Sequence, residues 1–483
     1  MATLPPMLAL PPELILRISS TLTTPELGCF RRTCKQVEVQ LFDSFAREFF
    51  TKRQFMIEHP SLQALVGIAN HPVLSKHLVE VIISTDTLPS SGLADQDRLP
   101  RALSSRGYMP REMLIHTGRA RDLLVEAFSK LPKLRTVGLR DYDGKDRFRD
   151  GEHAYWRSYG WRFGGDDADL RDRHHCAQVS PVPLLPMLLY ALGSARATPS
   201  NVEVFLRRHP KLTPASFDVV ADVTTPVLRG LRTVMLHIMA PYPHYRALGD
   251  DDDLWCQLPF KRFLQETAAV EELRLNFEPN ETLAHQMLGW LGEGVSSAIT
   301  NIPHVPSLAL PALRTLDLGK LNTDVGTLVS VLAKFDLMTV NLWQVTLRCK
   351  DQAEYQDDTS RWAAFFVALA RALPTSSSLT RFSVGYPNQA GTVDGVHSLP
   401  YGAELRRVFF KKDQADDSPK EDKASFRAGY GSSIKHWLEE IAERTWMPSY
   451  QPIDLTDDSE DDENEEDEDG SDDADGDEED EDE

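Results

Sequence analysis

The chain predicts an α/β protein in three parts: an N-terminal unit of three short helices, a body in which strands and helices alternate, and an acidic C-terminal tail. Apolar residues at helical spacing over positions 1–52 predict the first part. An apolar pattern that returns seven times, with helical stretches between its copies, predicts the second. The third follows from charge. Of 74 acids, 22 lie between Asp454 and Glu483, where no Lys or Arg occurs, so 52 acids and 52 bases remain elsewhere. The net charge of -22 therefore belongs to the tail, and the neutral body gives no sign of direct nucleic-acid binding.

The first helix is read from Pro11 and Pro12 ahead of Glu13, where proline's missing donor is harmless and an acid suits the N-terminal dipole. Leu14, Ile15, Ile18 and Leu22 follow at helical spacing. Thr24, Pro25 and Glu26 read as N-cap, first helical position and early acid of a second helix, with Leu27 and Phe30 facing in. A third helix carries Val37, Leu41, Phe42, Phe45 and Phe49 as its apolar stripe. Three short helices bury too little apolar surface to be comfortable alone, so the unit is expected to lean on a partner or a neighbouring domain.

These positions resemble the F-box. Leu10, Pro11, Glu13, Leu14, Ile18, Leu22, Leu27 and Cys34 with Lys35 stand where that family places its Leu-Pro, Glu-Leu, Ile, Leu, Leu and Cys-basic residues. Val37 stands where the family often has Trp. The stretch from "FDSFAREFFTKRQF" through "PSLQALVGIANHPVLSKHLVEVIIS" also looks like a fungal group of F-box proteins. The resemblance implies docking on the Skp adaptor of a cullin and RING ubiquitin ligase, with Leu10, Pro11, Glu13, Leu14, Ile15, Ile18, Leu22, Leu27, Cys34 and Val37 as the adaptor-binding set.

In the body (53–410) the returning pattern is an apolar residue, two others, an apolar, one other, an apolar. Its copies are Leu78, Val81, Ile83; Leu134, Val137, Leu139; Leu231, Val234, Leu236; Val270, Leu273, Leu275; Leu313, Leu316, Leu318; Leu337, Val340, Leu342; and Leu379, Phe382, Val384. "REMLIHTGRARDLLVEAFSKLP" and "SRWAAFFVALARALP" between copies read as helices, so each copy is a strand joined by a helical crossover to the next. Stacked units of this kind resemble an irregular leucine-rich-repeat solenoid, whose strand face would hold an unidentified protein target. The copies step by 56, 97, 39, 43, 24 and 42 residues, against roughly 20 to 29 in regular repeats. Tyr142, Met239 and Glu278 occupy positions where an Asn or Cys is usual. An unrelated α/β domain remains the other reading. Insertions at 141–179 and 241–255 are expected to decorate one edge, the first as either a partly disordered loop or a recognition element.

Other chemistry finds little footing. Five cysteines, odd in number and without CxxC spacing, read as free thiols of a reducing compartment, the nucleus or cytoplasm. No secretory leader is read at the N-terminus, and "VPLLPMLLYALG" is too short to span a bilayer, so no membrane is expected. His174, His175 and Cys176, with His153 upstream, lack a second ligand pair at zinc spacing, and "GDDDD" at Gly249 to Asp253 lacks the spacing of a calcium loop. No phosphate loop, GxSxG, HExxH or kinase signature occurs. The expectation is a non-catalytic protein without cofactors.

Beyond the body, 411–425 reads as a linker and 426–450 as a capping helix with Ile434, Trp437, Leu438 and Ile441 on one face. The tail, 451–483, is too charged for a core. At its start Pro452, Ile453, Asp454 and Leu455, followed by acids, resemble the SUMO-interacting motif, which implies pairing as a strand with an exposed sheet edge of SUMO. The reading that follows is a substrate receptor of a Skp, cullin and F-box ligase. The alternative is a nuclear acidic-tailed binding or histone-chaperone-like protein without a ligase role.

Overall fold

The computed structural model describes residues 10–87, 107–144, 148–151, 154, 156–160, 179–208, 211–239, 250–278, 282–294, 305–348, 360–390, 405–411, 420–429 and 433–448. These belong to one compact unit, Met1–Pro448. Among them are thirteen α-helices and a mostly parallel sheet of twelve strands.

Helices α1 (Pro12–Ser20), α2 (Thr24–Arg31) and α3 (Lys35–Phe50) form the N-terminal unit. Their stripes meet in a small core of Ile15, Leu27, Val37, Leu41 and Phe49, closed by half-buried Leu10, Leu22, Phe30, Cys34 and Phe45. The N-cap of α2 is Thr23, one residue before the expected Thr24. The Glu26 carboxylate accepts from both the Thr23 N–H at 2.9 Å and its hydroxyl at 2.8 Å, and these bonds, the backbone one foremost, hold the Glu26 pKa below its ordinary value.

The sheet begins with β1 (Lys52–Met56), β2 (Glu80–Ser84), β3 (Thr136–Arg140), β4 (Asn201–Phe205), β5 (Thr233–Ile238) and β6 (Glu272–Phe277). It continues with β7 (Thr315–Thr323), β8 (Thr339–Arg348) and β9 (Arg381–Gly385). From β1 to β9 each strand pairs in parallel with the next. The crossovers are helical: α4 (His59–Asn70), α5 (Arg111–His116), α6 (Arg119–Phe128), α7 (Leu184–Ala195), α8 (Thr225–Gly230), α9 (Asp250–Glu266), α10 (Thr282–Gly292), α11 (Val325–Lys334) and α12 (Arg361–Ala372). The expected second insertion is thus partly the start of α9, which begins at Asp250.

All seven apolar copies lie in this ladder, in register. One column runs Val81, Val137, Val202, Val234, Leu273, Leu316, Val340, Phe382; a second runs Phe55, Ile83, Leu139, Val204, and, past the end of the β4–β5 pairing at Glu203↔Met235, a third runs Leu236, Leu275, Leu318, Leu342, Val384. Every member is buried and belongs to the single large core beneath the helices. At about 1.5–3 kcal/mol per fully buried aliphatic side chain, these columns hold the stack together. Two strands escape the pattern. In β1 Arg53 replaces the middle apolar residue, and ahead of β4 Pro199 replaces the first, so the 97-residue step between copies conceals a strand within it.

Further pairings occur at both ends of the ladder. At the first, Tyr159 bridges Phe55 of β1, its N–H donating to the Gln54 carbonyl at 2.8 Å. At the last, β10 (Asn388–Ala390) pairs with β8, β11 (Leu405–Arg407) pairs antiparallel with β10, and β14 (Lys423–Arg427) pairs antiparallel with β9. A small second sheet joins β12 (Phe409–Lys411), β13 (Lys420–Glu421) and β15 (Thr445–Trp446). Of the expected linker, Lys411, Lys420, Glu421 and residues 423–425 lie in strands, and 412–419 lie outside the described residues; just beyond it Phe426 of β14 is turned inward. Helix α13 (Ile434–Arg444) packs Trp437 against Phe366, Phe382 and Phe426.

Candidate interaction surfaces

The first surface is on α1. The 3.6-residue turn sets Ile15 and Ser19 inward and Leu14 and Ile18, one turn apart, outward. Leu14 is 44% exposed and Ile18 42%, with Pro11 and Glu13 exposed beside them. Leu10, Leu22 and Cys34 are half-buried against the core of the unit. Ile15, Leu27 and Val37, also in the expected adaptor-binding set, are 0%, 4% and 1% exposed. They hold the three helices to one another in the small core. Leu16 and, on α3, Val39 are exposed as well.

A turn from the first insertion fixes this unit to the body. Arg149 lies in Phe148–Asp150 and donates through Nη1 to the carbonyls of Ser19 and Leu22, the latter at 2.6 Å. Its Nε and Nη2 meet the Glu48 carboxylate at 2.6 and 2.7 Å. Next to it, Asp150 accepts from the Thr24 N–H at 2.6 Å and the Thr24 hydroxyl at 2.5 Å. A cation thus meets the carbonyl end of α1 and an anion the amide end of α2, as helix dipoles favour. Elsewhere in this insertion, Gln54 Nε2 donates to Ser158 Oγ at 2.9 Å and the Tyr142 carbonyl at 3.2 Å.

The second surface is the sheet face opposite the apolar columns. Period-two alternation turns Asn201, Thr233, Glu272, Arg274, Asp317 and Asn341 to this side. Asp317, only 5% exposed, is the hub of a ladder: Arg274 Nε reaches its Oδ2 at 2.9 Å and Asn341 Nδ2 its Oδ1 at 2.7 Å. Asn201 Nδ2 likewise donates to Thr136 Oγ1 at 3.2 Å. Along this face side chains bond across strands, which leaves a mixed polar surface.

At the carboxyl ends of β2 to β6 several ionisable groups stitch loops. Asp86 is buried, which raises its pKa to about 6, against a lowering by the Ser84 hydroxyl bond and a further raising by Asp143. The Asp141 carboxylate accepts from the Arg207 and Arg208 amides at 2.8 and 2.6 Å. Lys211 Nζ donates to the carbonyls of Leu206 at 2.7 Å and Arg208 at 2.8 Å, and its burial lowers its pKa to about 8. These groups serve main-chain loop geometry.

Among the described residues no group of three or more His, Cys, Asp or Glu side chains is placed to hold a metal, and no helix is long and apolar enough to cross a membrane. His153, His174, His175 and Cys176 lie outside the described residues, as do Pro452, Ile453, Asp454 and Leu455 of the tail motif.

No protein family matches the sequence, and no curated protein does. Among solved structures, a chain from the crystal structure of the Rad7 and Elc1 complex in yeast is 10% identical, with 76% of this chain and 87% of that chain covered at a TM-score of 0.23. A likeness that slight bears on neither fold nor function.

Proposed function

We propose that this protein is a non-catalytic substrate receptor of a Skp, cullin and F-box ubiquitin ligase. The observation that carries the reading is the α1 face: Leu14 and Ile18 stand outward on a helix whose inward residues already fill their own core. Two exposed aliphatic side chains one turn apart, beside Pro11 and Glu13, suit an apolar groove on an adaptor. The F-box-like spacing of Leu10 to Cys34 supports the same assignment. The body then acts as an irregular leucine-rich-repeat-like solenoid, its mixed polar sheet face holding a target protein. Function is by proximity: the target's lysine is kept at high effective concentration near a ligase-bound ubiquitin donor.

Affinity purification of the tagged chain from its host tests this. Wild type and a variant lacking 449–483 are expected to recover the Skp adaptor and the cullin, whereas Leu14→Asp with Ile18→Asp recovers neither. The opposite division, with partners lost on tail removal and kept in the α1 variant, would move the assignment to an acidic-tailed binding protein.

A further inference from the structure

The last three strands of the ladder share a feature absent from the others. Lys320, Gln344 and Tyr386 have φ of 51°, 52° and 50°, three of the four non-glycine positive-φ residues among the described ones. Each follows a position in one register row, Gly319↔Trp343↔Gly385, so the three form a column of single-residue bulges. Each bulge shifts the alternation by one residue. Leu316, Leu318, Val340 and Leu342 face the core before it, and Leu321, Val345 and Leu347 still face the core after it. The ladder stays in register through the column because every strand carries the same extra residue.

The column also re-aims side chains on the open face. The Trp343 indole lies over Gly385, where a Cβ would stand 2.2 Å from its ring. Trp343 also meets Tyr386 edge to face, their centroids 4.9 Å apart. Over both rings lies an ammonium, Lys423 Nζ, 5.2 Å from the Trp343 centroid and 5.1 Å from that of Tyr386. Lys423 is exposed and opens β14, the edge strand that pairs it with Gly385. The Tyr386 N–H is fixed by the Asp422 carbonyl at 2.8 Å.

We infer that Trp343 and Tyr386 form a site for an alkylammonium group, a methylated lysine side chain presented by a partner protein, and that Lys423 is its resident occupant. Two ring faces converging on one point attract a cation, and the chain's own lysine marks where that point is. A trimethylammonium has no N–H groups to strip of water, so it enters such a site at lower desolvation cost than the primary ammonium it displaces. Lys423 is exposed on β14, and its ammonium is the group that the ligand displaces from the rings. This inference does not rest on the ligase reading.

The test uses the whole chain and three probes followed by ligand-observed NMR: Nα-acetyl-trimethyllysine amide, its unmethylated counterpart, and the neutral carbon isostere ending in a tert-butyl group. Wild type is expected to bind the trimethyl probe in preference to the other two. Lys423→Ala, which removes the competitor and no aromatic surface, is expected to bind it about threefold tighter or more, and Tyr386→Ala and Trp343→Phe to weaken it about fivefold or more. Circular dichroism checks each fold. Equal binding of the tert-butyl isostere, or no gain on Lys423→Ala, would overturn the proposal, and neither outcome depends on the aromatic variants folding.

Discussion

Ile15 and Leu14 are adjacent, equally apolar and opposite in consequence. Ile15 is fully buried, so Ile15→Ala should destabilise the N-terminal unit by about 2–5 kcal/mol through lost transfer energy and a residual cavity. Leu14→Ala, at 44% exposure, should stay within about 0.5 kcal/mol, and urea unfolding of the two variants checks the contrast. Asp86 gives a second expectation at this scale. Its folded pKa of about 6 lies above the ordinary 3.8, so the native state holds the proton more tightly than the unfolded chain. Its contribution is complete below the unfolded pKa and is lost as pH rises through 6, a fall of about 3 kcal/mol. Asp86→Asn should flatten the decline between about pH 4 and 6 and be more stable than wild type at pH 7 in thermal melts across that range. The helical spacing of Leu14 to Leu22 was legible in the sequence, but not which residues face out. Composition cannot separate an inward Ile15 from an outward Ile18, because that depends on where α2 and α3 cross α1.

At the scale of elements, the turn Phe148–Asp150 ties the three helices to the body. Arg149→Ala removes donors to two carbonyls and a carboxylate, with bonds to charged groups worth about 1.5–3 kcal/mol each before relaxation. Hydrogen exchange in 12–31 should rise by at least about tenfold, roughly 1.4 kcal/mol of lost protection, while β3 and β5 keep theirs. Uniform acceleration throughout the chain would contradict the assignment of this turn to the junction alone. The sequence marked 141–179 only as an insertion, since long-range bonds from a polar, aperiodic segment leave no periodic trace. It revealed seven strands through their apolar columns but missed β4, hidden by Pro199, and β1, hidden by Arg53. The strands of 411–425 were missed because edge strands rich in Lys and Asp resemble linkers in composition. The bulge column was invisible too, because Lys320, Gln344 and Tyr386 share no residue type.

At the scale of the unit Met1–Pro448, strands β1 to β9 form a one-directional ladder, and its described residues present two surfaces: a small aliphatic patch on α1 and a broad polar sheet face. The tail motif adds a third expectation. In a peptide spanning 449–483, Ile453→Ala with Leu455→Ala should lower SUMO affinity by about tenfold or more, as loss of two pocket-filling side chains implies, by calorimetric titration. Unchanged affinity would remove SUMO from the account. The central claim concerns the front of the chain, and its most direct test is light scattering of this chain mixed with its host's purified Skp adaptor. Wild type and Leu14→Asp with Ile18→Asp are compared after circular dichroism has shown both folded. The account predicts a one-to-one complex for wild type and none for the variant. A folded wild-type chain that stays alone at micromolar adaptor, or a variant that binds as well as wild type, would contradict it.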